Sequence, residues 1–161
     1  AENLRTCVHN GRNLEARESM LLGSLYAGLG LANAGVGAAH SLSYPLGGKY
    51  GIAHGVANTL MLPRIMDFNV PSAQEKFAVI AEVMGESTEG LPVREAAYLA
   101  VDAVESLIED CGVFTTLREL QVPEEDFPEL ARIALTVTRP LENNPRKVTF
   151  EDAIDIYRAA Y

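Results

Sequence analysis

The sequence predicts an all-α fold, a bundle of about six to eight helices in one domain over residues 1–161. Three observations carry this. Apolar residues recur at three- and four-residue spacing through most of the chain. No run of six residues alternates apolar and polar with period two, and Gly, Pro and capping residues interrupt the pattern at helix-length intervals. With 161 residues, 48% of them hydrophobic and 22% charged, the chain carries enough apolar side chain for a core and shows no internal repeat.

Taken in order, residues Glu2 to His9 read as the tail of a helix, with Leu4 and Val8 one turn apart and Asn10-Gly11 as its stop. Leu14 to His40 reads as one long helix carrying Leu14, Leu21, Leu22, Leu25 and Leu29. Its glycines at 23, 28, 30, 35 and 37 each lower helix propensity by about 1 kcal/mol relative to alanine. Such a helix needs packing to survive. From Met20 to Gly48 there is no Asp, Glu, Lys or Arg, a run longer than the roughly 20 residues of a membrane span. Much of it is Gly, Ala, Ser and Asn, and it ends on His40, Tyr44 and Pro45, so a buried helix of a soluble protein is expected rather than a span.

Tyr44 to Gly51 reads as a loop from its Pro and Gly content. A helix then restarts near His54 and runs toward Phe68, with Pro63 as a kink. Ser72 is expected to cap a helix through Met84 that Gly85 closes. Pro92 opens a helix to about Cys111, where Ala96, Leu99, Ala103 and Leu107 share a face and Gly112 marks the stop. A short helix over Thr115 to Leu120 and another over Phe127 to Val137 follow. The last begins at Thr149, pairs it with Asp152 as a capping box, and carries Ala153, Ile156, Tyr157 and Ala160.

Thirteen Lys and Arg against 22 Asp and Glu leave a formal net charge of -9, which excludes the electrostatic footprint of a nucleic-acid binder. Cys7 and Cys111 form no ligand pair and read as free thiols of a reducing cytoplasm. No positively charged, apolar leader follows Ala1-Glu2-Asn3. A chain without an initiator Met reads as a piece of a longer one. The acidic stretches Glu105 to Asp110 and Glu124-Glu125-Asp126 read as solvated faces, and Cys7-Val8-His9 as an exposed turn rather than a ligand set.

Gly28-Leu29-Gly30 is followed by Asn33 where a dinucleotide-binding fingerprint needs its third glycine, and no strand precedes it. The glycines read as close helix packing. There is likewise no phosphate-binding GxxxxGK[ST] loop, no GxSxG elbow and no HExxH pair. What remains is His40 and His54, one ending an uncharged helix and the other opening the next. Neutral imidazole is a common transition-metal ligand, and a helix end, a reversal and a helix start can bring two rings together. By spacing alone, two half-buried structural histidines fit as well.

The flanking residues add a resemblance. Ala39-His40-Ser41-Leu42-Ser43-Tyr44-Pro45-Leu46-Gly47-Gly48, then Ala53-His54-Gly55-Val56-Ala57-Asn58 and Leu62-Pro63, resemble the signature of the iron-containing alcohol dehydrogenases. The likeness runs from about Met20 to Tyr161 and includes Phe68-Asn69 and Asn144-Pro145-Arg146. It implies the dehydroquinate synthase-like helical C-terminal domain of that family, normally packed on an N-terminal α/β domain that binds NAD or NADP and is absent from these residues.

The resemblance further implies that His40 and His54 are two of four ligands to a catalytic Fe2+, or Zn2+ in some members. The other two, in a D-x-x-x-H arrangement, do not occur here. Tyr44 stands where many members carry a histidine near the nicotinamide; a phenol hydrogen-bonds there but is a poorer proton relay near neutral pH. Leu31 and Val36 fall on the substrate-facing stretch, as an apolar wall beside the metal or as core packing.

The expectation is thus the metal-binding domain of an enzyme that oxidises small alcohols or reduces aldehydes by metal-assisted hydride transfer. These residues alone are expected to be inert and to hold metal weakly, since a catalytic metal keeps at least three protein ligands. An apolar face left by the absent domain is expected to favour a homodimer. The alternative is a non-catalytic helical interaction or assembly module on the same scaffold. A hydrolase using either histidine as base lacks any placed Ser, Cys or Asp partner.

Overall fold

The computed structural model describes residues 1–161. The chain is helical throughout, with no strand and nine α-helices. They are α1 (Leu4–His9), α2 (Leu14–Ala34), α3 (Ala38–Tyr50), α4 (His54–Asn69), α5 (Gln74–Met84), α6 (Val93–Asp110), α7 (Phe127–Leu135), α8 (Thr138–Glu142) and α9 (Phe150–Ala159), with short 3-10 turns at Val70–Ser72 and Glu124–Asp126. The helices group into two compact units. The first comprises residues 1–35 and 74–113 and the second residues 36–73 and 114–161. No single helix is long and apolar enough to cross a membrane.

In the first unit α5 and α6 pack as a helical hairpin, burying Phe77 and Ala81 on one side and Ala96, Ala97, Ala100 and Val101 on the other. Pro92 stands at the N-cap of α6 as expected. At the far end of α6, Asp110 receives α1: Arg5 Nε lies 2.6 Å from its carboxylate and His9 Nε2 donates to its backbone carbonyl at 2.8 Å. Helix α2 starts on Asn13, whose side chain accepts from the Ala16 N–H at 3.0 Å.

Two expectations for this region fail. The helix from Leu14 does not run on to His40, because Gly35 takes a φ of 74° and breaks it before α3 begins. Nor is α2 buried: Ala16 is its one buried residue and Leu21 is 73% exposed. Its apolar side chains are scattered around the axis instead of forming one stripe, so the side it turns to α1 cannot cover the rest.

The second unit is built around α3, which packs on α4, α7 and α8 and buries Ala38, Ser41, Leu42, Ser43, Pro45 and Leu46. The segment read as a loop from Tyr44 to Gly51 is therefore helical through Tyr50. Pro45 removes one helix hydrogen bond, but its ring and the neighbouring leucines sit in the core, and that burial outweighs the local cost. The stop comes at Gly51, whose φ of 67° suits glycine; its N–H and that of Ile52 reach back to Gly47 and Leu46. Lys49 bridges Asp126 at 2.8 Å and Glu129, and the Tyr50 hydroxyl donates to Asp126, fixing the end of α3 to the start of α7.

Beneath α3 lie Met61 of α4, Phe127 and Leu130 of α7, and Ile156 and Tyr157 of α9. Tyr157 is wholly buried and its hydroxyl donates to the Leu42 carbonyl at 2.7 Å. Burial pushes this phenol far above its ordinary range, so it stays a donor. Thr115 to Leu120 forms turns rather than a helix, since Leu117 is drawn into the core and its N–H pairs with the Ala160 carbonyl at 2.8 Å. Ser72 closes a 3-10 turn instead of capping α5, and the five-residue α8 is too short to leave a periodic signal. Helix α9 begins on the expected capping box of Thr149 and Asp152.

Replacing Tyr157 by Phe should destabilise the complete polypeptide by about 1 kcal/mol through the lost hydrogen bond, and by Ala about 3–5 kcal/mol through the cavity. Urea unfolding checks both. A second expectation concerns acid. The backbone N–H of Thr149 and then its hydroxyl hold the Asp152 carboxyl below the usual carboxylate range. Its contribution is therefore present above the unfolded value of about 3.9 and lost as pH falls through the lower folded value. Below about pH 4, the urea midpoint of Asp152→Asn should decline less steeply than that of the parent.

Candidate metal centre

One turn of α3 and the first turn of α4 supply the site. His40 and Tyr44 lie four residues apart on α3, so their side chains project from the same face. Three residues, Gly51 to Ala53, reverse the chain before His54 opens α4. The His40 and His54 ring centroids come to 5.4 Å, and the Tyr44 ring lies 6.3 Å from His40 and stacks on His54 at 6.1 Å with planes 12° apart. His40 is half-buried, His54 exposed, and Tyr44 41% exposed. Burial, and then the neighbouring His54, lower the pKa of His40, keeping it in the neutral form that coordinates cations.

No third His, Cys, Asp or Glu of the chain joins the two histidines in a metal-binding group. His9 belongs to the first unit and is occupied with Asp110, where Cys7 and Cys111 are free thiols. Leu31 also belongs to the first unit, in the last turn of α2, and is 55% exposed. Val36 opens the second unit, half-buried, with its carbonyl accepting from Asn143 Nδ2 at 3.3 Å.

Sequence reasoning placed Asn58, Asn69, Asn144 and Arg146 within the family resemblance but gave these polar side chains no role in holding this hairpin. Asn58, one turn after His54, places its amide nitrogen 2.9 Å from His54 Nε2 and 3.2 Å from Nδ1. Its oxygen accepts from Ser43 Oγ at 3.0 Å. At the end of α4, Asn69 and Asn144 exchange reciprocal amide hydrogen bonds of 3.0 and 2.8 Å. Asn144 Oδ1 also accepts from the Ala38 N–H at 3.3 Å, and its Nδ2 donates to the Arg146 carbonyl at 2.6 Å. Arg146 in turn donates to the Phe68 carbonyl at 3.0 Å, its guanidinium 3.9 Å above the Phe68 ring.

One segment before α9 thereby clamps the start of α3 and the end of α4. A Cβ at Gly37 would meet Asn144 Oδ1 at 3.4 Å, so the chain passes close beneath the clamp. A usable signal was the i, i+4 pairing of His54 with Asn58 on one helix. The Asn69 and Asn144 pair, 75 residues apart, leaves no local trace. Asn144→Ala strands the buried Asn69 amide and should destabilise the fold by about 2 kcal/mol. The double variant with Asn69→Ala should be less destabilised than the sum of the two, which a double-mutant cycle in urea reads directly.

Comparison with known proteins bears on the same residues. A family model described as the Fe-containing alcohol dehydrogenase family, C-terminal, matches residues 1–161. The chain is 44% identical over its whole length to a 1,3-propanediol dehydrogenase of Citrobacter freundii, covering 41% of that protein. It is 42% identical over 147 residues, 91% of its length, to a lactaldehyde reductase of Escherichia coli K12, covering 38% of that one. A crystal structure of a 1,3-propanediol oxidoreductase superposes with a TM-score of 0.96 at 43% identity, covering 99% of this chain and 41% of the other. The chain thus spans about two fifths of the length of these relatives.

Proposed function

The chain belongs to the Fe-containing alcohol dehydrogenase family, spanning its C-terminal region, and from that premise we propose that His40 and His54 bind the catalytic divalent cation of an NAD(P)-dependent oxidoreductase of small alcohols and aldehydes. One observation carries the reading. Two histidines from consecutive helices bring their rings to 5.4 Å, with a phenol beside both, in the segment that matches this family.

The donor set fits part of a site for Fe2+ or Zn2+. Imidazole suits both ions, and His40 is held neutral. Two ligands are fewer than a catalytic metal keeps, so the remaining donors come from elsewhere in the complete polypeptide. These residues alone then hold metal weakly and are inert. When bound, the metal supplies Lewis-acid polarisation of the substrate oxygen.

This chain's own residues position and relay. His40 and His54 fix where the substrate oxygen sits, on the face of the hairpin that Tyr44 borders. Tyr44, partly exposed with its ring beside both imidazoles, supplies a phenol to hydrogen-bond the hydroxyl proton as it leaves for solvent. A nicotinamide, when bound by the complete polypeptide, would supply the hydride acceptor for the alcohol carbon, giving aldehyde, reduced nicotinamide and one proton. Val36, in the same unit as the histidines, is assigned to the apolar wall of the substrate site.

The test is anaerobic calorimetry with ferrous and zinc ions on the complete polypeptide, with and without His40→Ala and His54→Ala. Each substitution should weaken binding at least tenfold, about 1.4 kcal/mol, and abolish turnover. Metal affinity indifferent to both would refute the reading and favour a non-catalytic scaffold.

A further inference from the structure

We propose that Asn144 is a positioning residue for His40: its amide oxygen caps the first turn of α3 from outside the helix and so fixes the turn that carries the ring. The inference rests on the assignment of His40 as a metal ligand and adds what holds that ligand in place. His40 is the third residue of α3, and helix side chains lean toward the N-terminus, so its ring stands over the turn that begins at Ala38. That turn receives no cap from its own sequence. Gly37 occupies the N-cap with an extended backbone, φ -104° and ψ -166°, and has no side chain to accept from the helix N–H groups.

The acceptor comes instead from 106 residues further on. Ala38 is wholly buried, and its N–H, which would otherwise be an orphan, donates to Asn144 Oδ1 at 3.3 Å. Backbone groups settle the orientation of this amide at both ends. The Ala38 N–H only donates and faces the oxygen, whereas the Arg146 carbonyl only accepts and lies 2.6 Å from Nδ2. The adjacent Asn143 donates to the Val36 carbonyl at 3.3 Å, so one segment grips the chain on both sides of Gly37. The His40 N–H in turn reaches back to the Gly37 carbonyl at 3.1 Å. The backbone of the ligand is thereby tied to the residue between the two anchors.

The experiment uses the complete polypeptide and two readouts, cobalt(II) titration and amide hydrogen exchange of the metal-free protein. Asn144→Ala should bind cobalt about tenfold or more weakly, the usual effect of losing a residue that orients a ligand, and its Ala38 and His40 amides should exchange faster than in the parent. Asn69→Ala breaks the same amide pair and costs stability but leaves Asn144 on Ala38, so its cobalt affinity should stay within about twofold of the parent. A Cβ at residue 37 meets only the Asn144 oxygen, at 3.4 Å, so Gly37→Ser fits in the Asn144→Ala background. There it caps the turn from within and should recover cobalt affinity without rejoining α4. Asn144→Asp keeps the acceptor and loses the donor, which gives a second test where Asn144→Ala does not fold: affinity within about twofold supports the cap, and a tenfold loss overturns it. Cobalt affinity in Asn144→Ala within about twofold of the parent also overturns the proposal, as does an equal loss in Asn69→Ala or a serine cap that recovers nothing. His40→Ala separates the two layers: cobalt affinity retained there removes the ligand assignment itself, whereas affinity lost there but kept in Asn144→Ala removes only the positioning role.

Discussion

Burial of α3 is the constraint on which the second unit depends. Leu42 and Leu46 reach solvent nowhere, Pro45 is buried between them, and the Tyr157 hydroxyl reaches the Leu42 carbonyl from α9. Only because this helix continues past Pro45 and two glycines does it end at Gly51. The three-residue reversal that follows then sets His54 against His40. Had the chain left the helix at Tyr44, as its local composition suggests, the separation of the two rings would have been a property of a loop. As it is, one ring stands on a packed helix and the other on the first turn of the next.

The amphipathic elements were legible in the sequence because they obey local rules. α6, α7 and α9 carry their apolar residues on one face, and the Thr149 and Asp152 box satisfies orphan N–H groups within four residues. Elements that failed did so where distant contacts decide. Pro45, Gly47 and Gly48 look like punctuation until the core that accepts them is known. The turn around Leu117 is dictated by its bond to Ala160, 43 residues away by subtraction of their positions. In α2 the error was of another kind: an uncharged run was equated with burial, although its leucines follow no single stripe.

The candidate site divides along the same line. The histidine pair was visible because the residues that flank it resemble a family signature, and their convergence needed only a short reversal. The supporting amides lay within the same resemblance, but their contacts with one another were not legible. Asn58 and Ser43 act across two helices, and Asn69 with Asn144 across 75 residues, so neither pattern has a spacing that sequence periodicity would reveal. Buried amides of this kind are costly when half satisfied and strongly orienting when complete. Asn144 uses both its oxygen and its nitrogen twice over, on Asn69, Ala38 and Arg146.

A division of labour follows within the hairpin. Apolar packing sets where α3 and α4 lie, to the precision of side-chain interdigitation. That precision does not reach the His54 ring, which is exposed and lies outside the core cluster. The Asn69 and Asn144 clamp and the Ser43 and Asn58 bridge therefore join the same two helices at different places and with different effects. The first fixes backbones and should register in unfolding free energy. The second tethers the exposed His54 ring to α3 through Asn58 and Ser43.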